Sequence, residues 1–107
     1  MHDDQHGTAV VVLAALINAC LLARRDLRRA VVGQIGLGAA GIGIASILAA
    51  YGVKDIIGTD TQPEAVERLE RLGGRGGSYE SVMTEADVVI ATTGVAGLIK
   101  PGDVRRG

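Results

Sequence analysis

Apolar residues crowd the first half of the chain and thin out into patterned segments in the second. From Ala9 to Ala23 they are almost continuous, broken by Asn18, and Thr8 stands where a helix N-cap would. The pattern predicts a helix from Thr8 to about Ala23 with an apolar surface almost all round, which needs burial between layers or against a partner. Ala30-Val31-Val32-Gly33-Gln34-Ile35 reads as a buried strand. A glycine-rich turn comes next, then a helix from about Ala39 to Ala50 that Gly52 stops.

The second half repeats the alternation. Asp55-Ile56-Ile57-Gly58-Thr59 is a second short strand ending at Asp60, and Thr61-Gln62-Pro63-Glu64 has capping-box spacing with a proline in the first turn of the next helix. On that helix Ala65, Val66, Leu69 and Leu72 share one face, while Glu64 with Arg68 and Glu67 with Arg71 have i,i+4 spacing outside. Gly73-Gly74-Arg75-Gly76-Gly77 reads as a flexible surface connector, and Ser78 as the cap of a short helix through about Thr84. Asp87-Val88-Val89-Ile90-Ala91 is a third strand, and Pro101 is expected to open a last turn. Strands alternating with helices predict an α/β fold, a Rossmann-like three-layer arrangement with a short parallel sheet of about three strands and right-handed crossovers.

Composition narrows the picture. The 107 residues suit one domain, and with 2% aromatics (Tyr51 and Tyr79) against 48% hydrophobic residues the core must be aliphatic. A net charge of −1 offers no field to draw nucleic acid or an anionic membrane. The one basic run, Arg24, Arg25, Arg28 and Arg29, reads as a solvated helix end, with a phosphate patch as the other reading. The single Cys20 lies among Leu, Ile and Ala, as a small buried hydrophobe in a reducing compartment would. The uncharged stretch from Ala30 to Val53 is long enough to span a membrane, but its six glycines and β-branched opening fit strand, turn and helix better.

The turn Gly36-Leu37-Gly38-Ala39-Ala40-Gly41 is a GxGxxG pattern, weak alone in a chain with 16 glycines. Its setting strengthens it, because it lies between strand and helix and a second strand ends in Asp60, 19 residues after Gly41. Gly36 would permit the tight turn, Gly38 the approach of a pyrophosphate, and Gly41 close packing of helix on strand. The amides of Ala39 and Ala40 would face the phosphates at the positive helix end. Asp60 would accept from the adenosine ribose and repel a 2′-phosphate, favouring NAD over NADP. Thr92, Thr93 and Gly94, at the end of the third strand, are placed to meet the nicotinamide side. The competing reading makes the glycines packing devices and Asp60 a turn acid.

His2-Asp3-Asp4-Gln5-His6-Gly7-Thr8 gathers two carboxylates and two imidazoles at a helix start. By spacing alone this admits either a hard-cation site or acids at a positive helix end. The run from His2 through Leu16 resembles the segment that begins the NAD-binding domain of bacterial malic enzymes. The segments Gly33 to Gly41 and Val89 to Pro101 are similar to that family in the same order, so the resemblance spans essentially the whole chain.

The resemblance implies that Asp4 is a ligand of Mg²⁺ or Mn²⁺ and that Asp3 supports a catalytic lysine. It implies oxidation of malate with NAD and loss of CO₂ to give pyruvate, in the cytoplasm. The lobe supplying the tyrosine, the lysine and two further metal ligands is expected upstream, where only Met1 and His2 precede Asp3. Residues 1–107 are therefore expected to be a partial NAD-binding domain, with one metal ligand and no base. Such a fragment would bind dinucleotide without turnover and self-associate or dock the missing lobe. A small NAD-sensing module and a membrane hairpin are the alternatives.

Overall fold

The computed structural model describes residues 2–92 and 98–101, with side chains described for 7–92. In chain order the elements are α1 (His2–Leu22), a 3-10 turn (Leu27–Arg29), β1 (Val31–Ile35), α2 (Ala39–Tyr51), β2 (Asp55–Thr59), α3 (Pro63–Arg71), β3 (Arg75–Gly76), α4 (Tyr79–Glu85), β4 (Val88–Ala91) and β5 (Leu98–Pro101). The sheet runs in the order β3-β2-β1-β4-β5. The first four strands are parallel and β5 pairs antiparallel with β4. The three central strands are the expected ones, and two short edge strands extend the sheet.

Alternation along the strands divides the core in two. Val32, Ile56 and Ile90 face α1, α2 and α3, where Leu16, Ile44, Leu48 and Leu69 are buried with them. Ile57 and Val89 face the other way, against Val82 of α4 and Ala86 just after it. Burying each of these branched side chains is worth roughly 1.5–3 kcal/mol. α4 approaches that closely because β1 carries Gly33 there: a Cβ at Gly33 would stand 2.7 Å from Val82 Cγ1 and 2.8 Å from the Ala86 Cβ.

Several local expectations need correction. α1 starts at His2, so Thr8 lies inside it; Asp3 and Asp4 in the first turn suit the positive helix end, and Gly7 costs only about 1 kcal/mol. The helix is not buried all round, since Ala9, Val12, Leu16 and Cys20 are buried while Val11 is 66% and Leu22 79% exposed. The arginines lie beyond its last turn: Arg24 comes after the helix, and Arg28 and Arg29 belong to the 3-10 turn. Thr61 does not cap α3; Gln62 is the N-cap residue and makes no side-chain cap bond, while Pro63 opens the helix. Arg75 of the expected connector instead forms β3 and is held between Asp55 (2.9 Å) and Glu85 (2.8 Å). Pro101 ends an edge strand, a position that tolerates its missing N–H.

Other expectations hold. Gly52 closes α2 in the left-handed region (φ 118°), and Ser78 Oγ accepts from the Ser81 amide at 3.0 Å to cap α4. Cys20 is free and buried, and burial pushes its thiol pKa up. Among the described residues no helix is long and apolar enough to cross a membrane.

α1 and α2 lie side by side and run in the same sense, since Ile17, Cys20 and Leu21 near the end of α1 share a cleft with Tyr51 at the end of α2. α1 has 21 residues against 13, so its first turns extend beyond the start of α2.

Gly33→Ala should lower stability by about 1–3 kcal/mol, since neither Val82 nor Ala86 can move away without shifting α4. Thermal denaturation checks this, and an unchanged melting temperature would contradict the packing described.

Candidate functional site

β1 ends at Ile35 and α2 begins at Ala39, leaving three residues to reverse the chain. Gly36 makes the turn with φ 96°, and its amide donates to the Thr59 carbonyl of β2 at 3.0 Å. A Cβ at Gly36 would lie 2.9 Å from the Thr92 carbonyl oxygen, so only glycine satisfies both the dihedral and the space. At Gly41, inside the first turn of α2, a Cβ would overlap the Gly36 carbonyl oxygen.

Gly38 differs from both. A Cβ there meets nothing within 4 Å, and its φ of −73° is open to any residue. Neither fold nor backbone requires glycine at this position. Gly38 is also the N-cap of α2 and has no side chain to accept from the first-turn amides. The amides at the positive end of α2, at Ala39 and Ala40, therefore receive no bond from an N-cap side chain.

That end opens on a cleft of about 510 Å³, bordered by Gly36, Gly38, Asp60, Thr61, Tyr79 and Thr92. The volume is in the range of small-molecule and cofactor sites. It lies where β1 has α2 and β2 on one side and β4 on the other, the switch point at which open α/β sheets collect ligands.

Asp60 does more than border the cleft. Its Oδ2 accepts from the Leu37 amide at 2.6 Å and its Oδ1 from the Gln62 amide at 2.8 Å. The Leu37 bond first, then the Gln62 bond, holds the carboxyl pKa below its ordinary value. A carboxylate has about four lone-pair sites, so two amide bonds leave acceptor capacity for a ligand hydroxyl.

On the other flank, Thr92 donates its amide to Ile35 at 2.9 Å and its hydroxyl to the Gly36 carbonyl at 3.3 Å. Gln34 completes this corner from inside β1: fully buried, it donates Nε2 to Thr92 Oγ1 at 2.9 Å and to the Gly36 carbonyl at 3.1 Å. Its Oε1 is buried without a partner among the described residues.

The structure thus brings together Gly36, Gly38, Ala39, Ala40, Gly41, Asp60 and Thr92. Thr93 and Gly94 lie outside the described residues. Asp3 and Asp4 stand on the first turn of α1, and their side chains are outside the described part of the chain. Among the described residues no three of His, Cys, Asp and Glu gather as a metal site. Sequence reasoning missed Gln34, whose signal was one polar side chain in an apolar strand, and Tyr79, one of only two aromatics.

The depressed pKa of Asp60 sets a sign. Its contribution to stability is present above the unfolded-state value of about 3.9 and is lost as pH falls through the lower folded-state value. Asp60→Asn should lower the melting temperature at neutral pH and reduce the loss of stability on acidification. Melting curves from pH 7 to about pH 3 check this; an acid profile identical to that of the unsubstituted chain would contradict it.

Comparison with known proteins agrees with this geometry. Residues 11–96 match the family model described as the D-isomer specific 2-hydroxyacid dehydrogenase, NAD binding domain. NAD-dependent malic enzyme 1 of Bacillus subtilis is 59% identical over 108 residues, covering 100% of this chain and 25% of that protein. An NAD-dependent malic enzyme of Geobacillus stearothermophilus is 39% identical, covering 98% of this chain and 24% of its own length. The chain thus spans about a quarter of the curated relatives it matches. The NAD-complexed D-isomer specific 2-hydroxyacid dehydrogenase of Lactobacillus delbrueckii superposes with a TM-score of 0.56 at 30% identity, over 67% of this chain and 21% of that one. A dipicolinate synthase polypeptide of Bacillus halodurans shares the fold, with a TM-score of 0.69 at 20% identity over 87% of this chain and 33% of that one. The family model and these two malic enzymes agree on the domain and differ only in the reaction named, and the two malic enzymes match along essentially the full length. The chain belongs to the family of NAD-binding dehydrogenase domains, as a segment of the malic-enzyme type.

Proposed function

We propose that this chain holds NAD at the glycine turn, and that the complete protein oxidises malate and releases CO₂ to give pyruvate. The observation that carries the reading is the difference among the three glycines. Gly36 and Gly41 are closed against protein, whereas Gly38 faces open space at the start of α2. A glycine that the fold does not need, beside uncapped helix amides, has its explanation in a group that must come close.

In this reading the pyrophosphate lies over Gly38 and meets the amides of Ala39 and Ala40. Asp60 keeps its bond to Leu37 and accepts from the adenosine ribose with its remaining lone pairs. Its charge works against a 2′-phosphate, so NAD is preferred to NADP. Thr92, with Thr93 and Gly94 beyond it, borders the nicotinamide side. When bound, the dinucleotide supplies the hydride acceptor.

The resemblance adds Asp3, supporting a lysine base, and Asp4, a ligand of Mg²⁺ or Mn²⁺, both completed by groups from a separate amino-terminal lobe. That lobe, or self-association, would cover the exposed Val10 and Val11. Residues 1–107 alone then bind dinucleotide but lack the base and metal ligands for turnover, and a cytoplasmic setting suits the single buried thiol.

Gly38→Val should leave the melting temperature within about 2 °C and weaken NAD binding at least about tenfold, because the new side chain meets cofactor and not protein. Calorimetric titration checks this; unchanged NAD affinity would overturn the site. Mixing the chain with a separately expressed amino-terminal lobe of a malic enzyme, malate, Mn²⁺ and NAD should restore NADH formation. NAD binding without turnover in that mixture would favour a nucleotide-sensing module.

A further inference from the structure

At the end of the sheet away from the glycine turn, the chain collects positive charge. Arg24, Arg25 and Arg28 wall a cleft of about 420 Å³ between the ends of α1 and α2, with Tyr51 opposite and Ile17 and Leu21 as an apolar side. A neighbouring hollow of about 230 Å³ shares Arg25 and adds Arg29. We propose that this cleft is a binding site for a small organic phosphate, a ligand separate from the dinucleotide.

The charge balance favours an anion. Three arginines line the cleft against one acid, Asp26, and Arg29 and Asp87 of the neighbouring hollow offset each other, which leaves +2 in a chain whose net charge is −1. The C-terminal ends of α1 and α2 each bring about half a negative charge, so roughly +1 remains after they are counted. Asp87 is shared, because its Oδ2 accepts from the Val31 amide at 2.8 Å while Oδ1 stands 3.8 Å from Arg25. Arg24 and Arg29 form no ion pair among the described residues.

The plain alternative is that the arginines cap the helix ends, but the backbone already does so. The Arg24 amide donates to Leu21 at 3.1 Å and the Arg25 amide to Cys20 at 2.7 Å. At the end of α2 the Gly52 and Val53 amides donate to Leu48 at 3.1 and 3.0 Å. The guanidinium groups are therefore not used up as caps. Arg24 also sits in the left-handed region, with φ 58°, at the position after a helix where glycine is the unstrained choice. An arginine kept there against its backbone preference points to a use for the side chain.

Arg28 is partly preorganised: Nε lies 3.3 Å from Asp26 Oδ1, and the guanidinium carbon stands 5.9 Å over the Tyr51 ring. Planar guanidinium forks match the oxygens of a phosphate dianion, and the apolar side would take its organic part. The cleft volume is that of a small-metabolite pocket.

Phenyl phosphate, succinate and chloride, titrated into the labelled chain at fixed ionic strength, test this by amide NMR. Phenyl phosphate should shift residues 20–29 and 51–52 at lower concentration than the other two, with NAD already present on the glycine turn. Failure of NAD to bind would leave this readout intact, because the two sites report through different amides. Arg24→Gly should melt at a higher temperature, as the strain is relieved, yet bind phenyl phosphate about tenfold or more weakly. Equal binding by Arg24→Gly, or phenyl phosphate binding no tighter than chloride, would overturn the proposal. Succinate binding as tightly as phenyl phosphate would overturn the choice of phosphate.

Discussion

The bond from the Leu37 amide to the Asp60 carboxylate joins the two halves of the βαβ unit at its working end. Leu37 is the middle residue of the reversal between β1 and α2, and Asp60 is the first residue after β2, so one 2.6 Å contact fixes the turn to the neighbouring strand. Hydrogen bonds to charged groups are among the stronger ones, about 1.5–3 kcal/mol before discounting for solvent. The opposite side is held by Thr92 and Gln34, both bonded to the turn through the Gly36 carbonyl. With β2 and β4 tied to the same three residues, the amide end of α2 is presented in one orientation. Preorganisation of this kind is what a backbone-mediated anion site requires.

The division of labour among the glycines comes from that closure. Gly36 and Gly41 let helix, strand and Thr92 approach to contact distance, and Gly33 and Gly58 do the same where α4 and α3 cross the sheet. Gly38 alone in the turn serves no internal contact. Asp60 likewise has two tasks, holding Leu37 and facing the cleft, so the competing readings of it as a turn acid or a ribose acceptor are compatible. The ionised form is needed for both.

Much of this was legible in the sequence, and the rest was not for identifiable reasons. β2 and the span of α2 come from apolar runs bounded by Gly52 and Asp60, signals that depend on near neighbours only. β3 and β5 are short edges whose existence rests on partners far away in the chain, with Arg75 reaching back to Asp55. Thr61 had the spacing of a cap, yet Asp60, one residue earlier, binds the Gln62 amide and organises the entry to α3. The start of α1 was missed because Thr8 is a good cap in isolation, whereas the helix runs from His2. Gln34 left a trace, a lone amide among Val and Ile, but its partners Gly36 and Thr92 appear only once β1 and β4 are side by side.

α2 connects the two ends of the molecule, with the open glycine at its start and the arginine cleft at its finish. The claim that the dinucleotide lies over the start of α2 is tested most directly by amide NMR during a titration with NAD. The largest shifts should fall on Gly38, which borders the cleft, on Ala39 and Ala40 at the start of α2, and on Leu37 and Gln62, whose amides donate to Asp60. Shifts confined to residues 20–29, with the glycine turn unmoved, would contradict it.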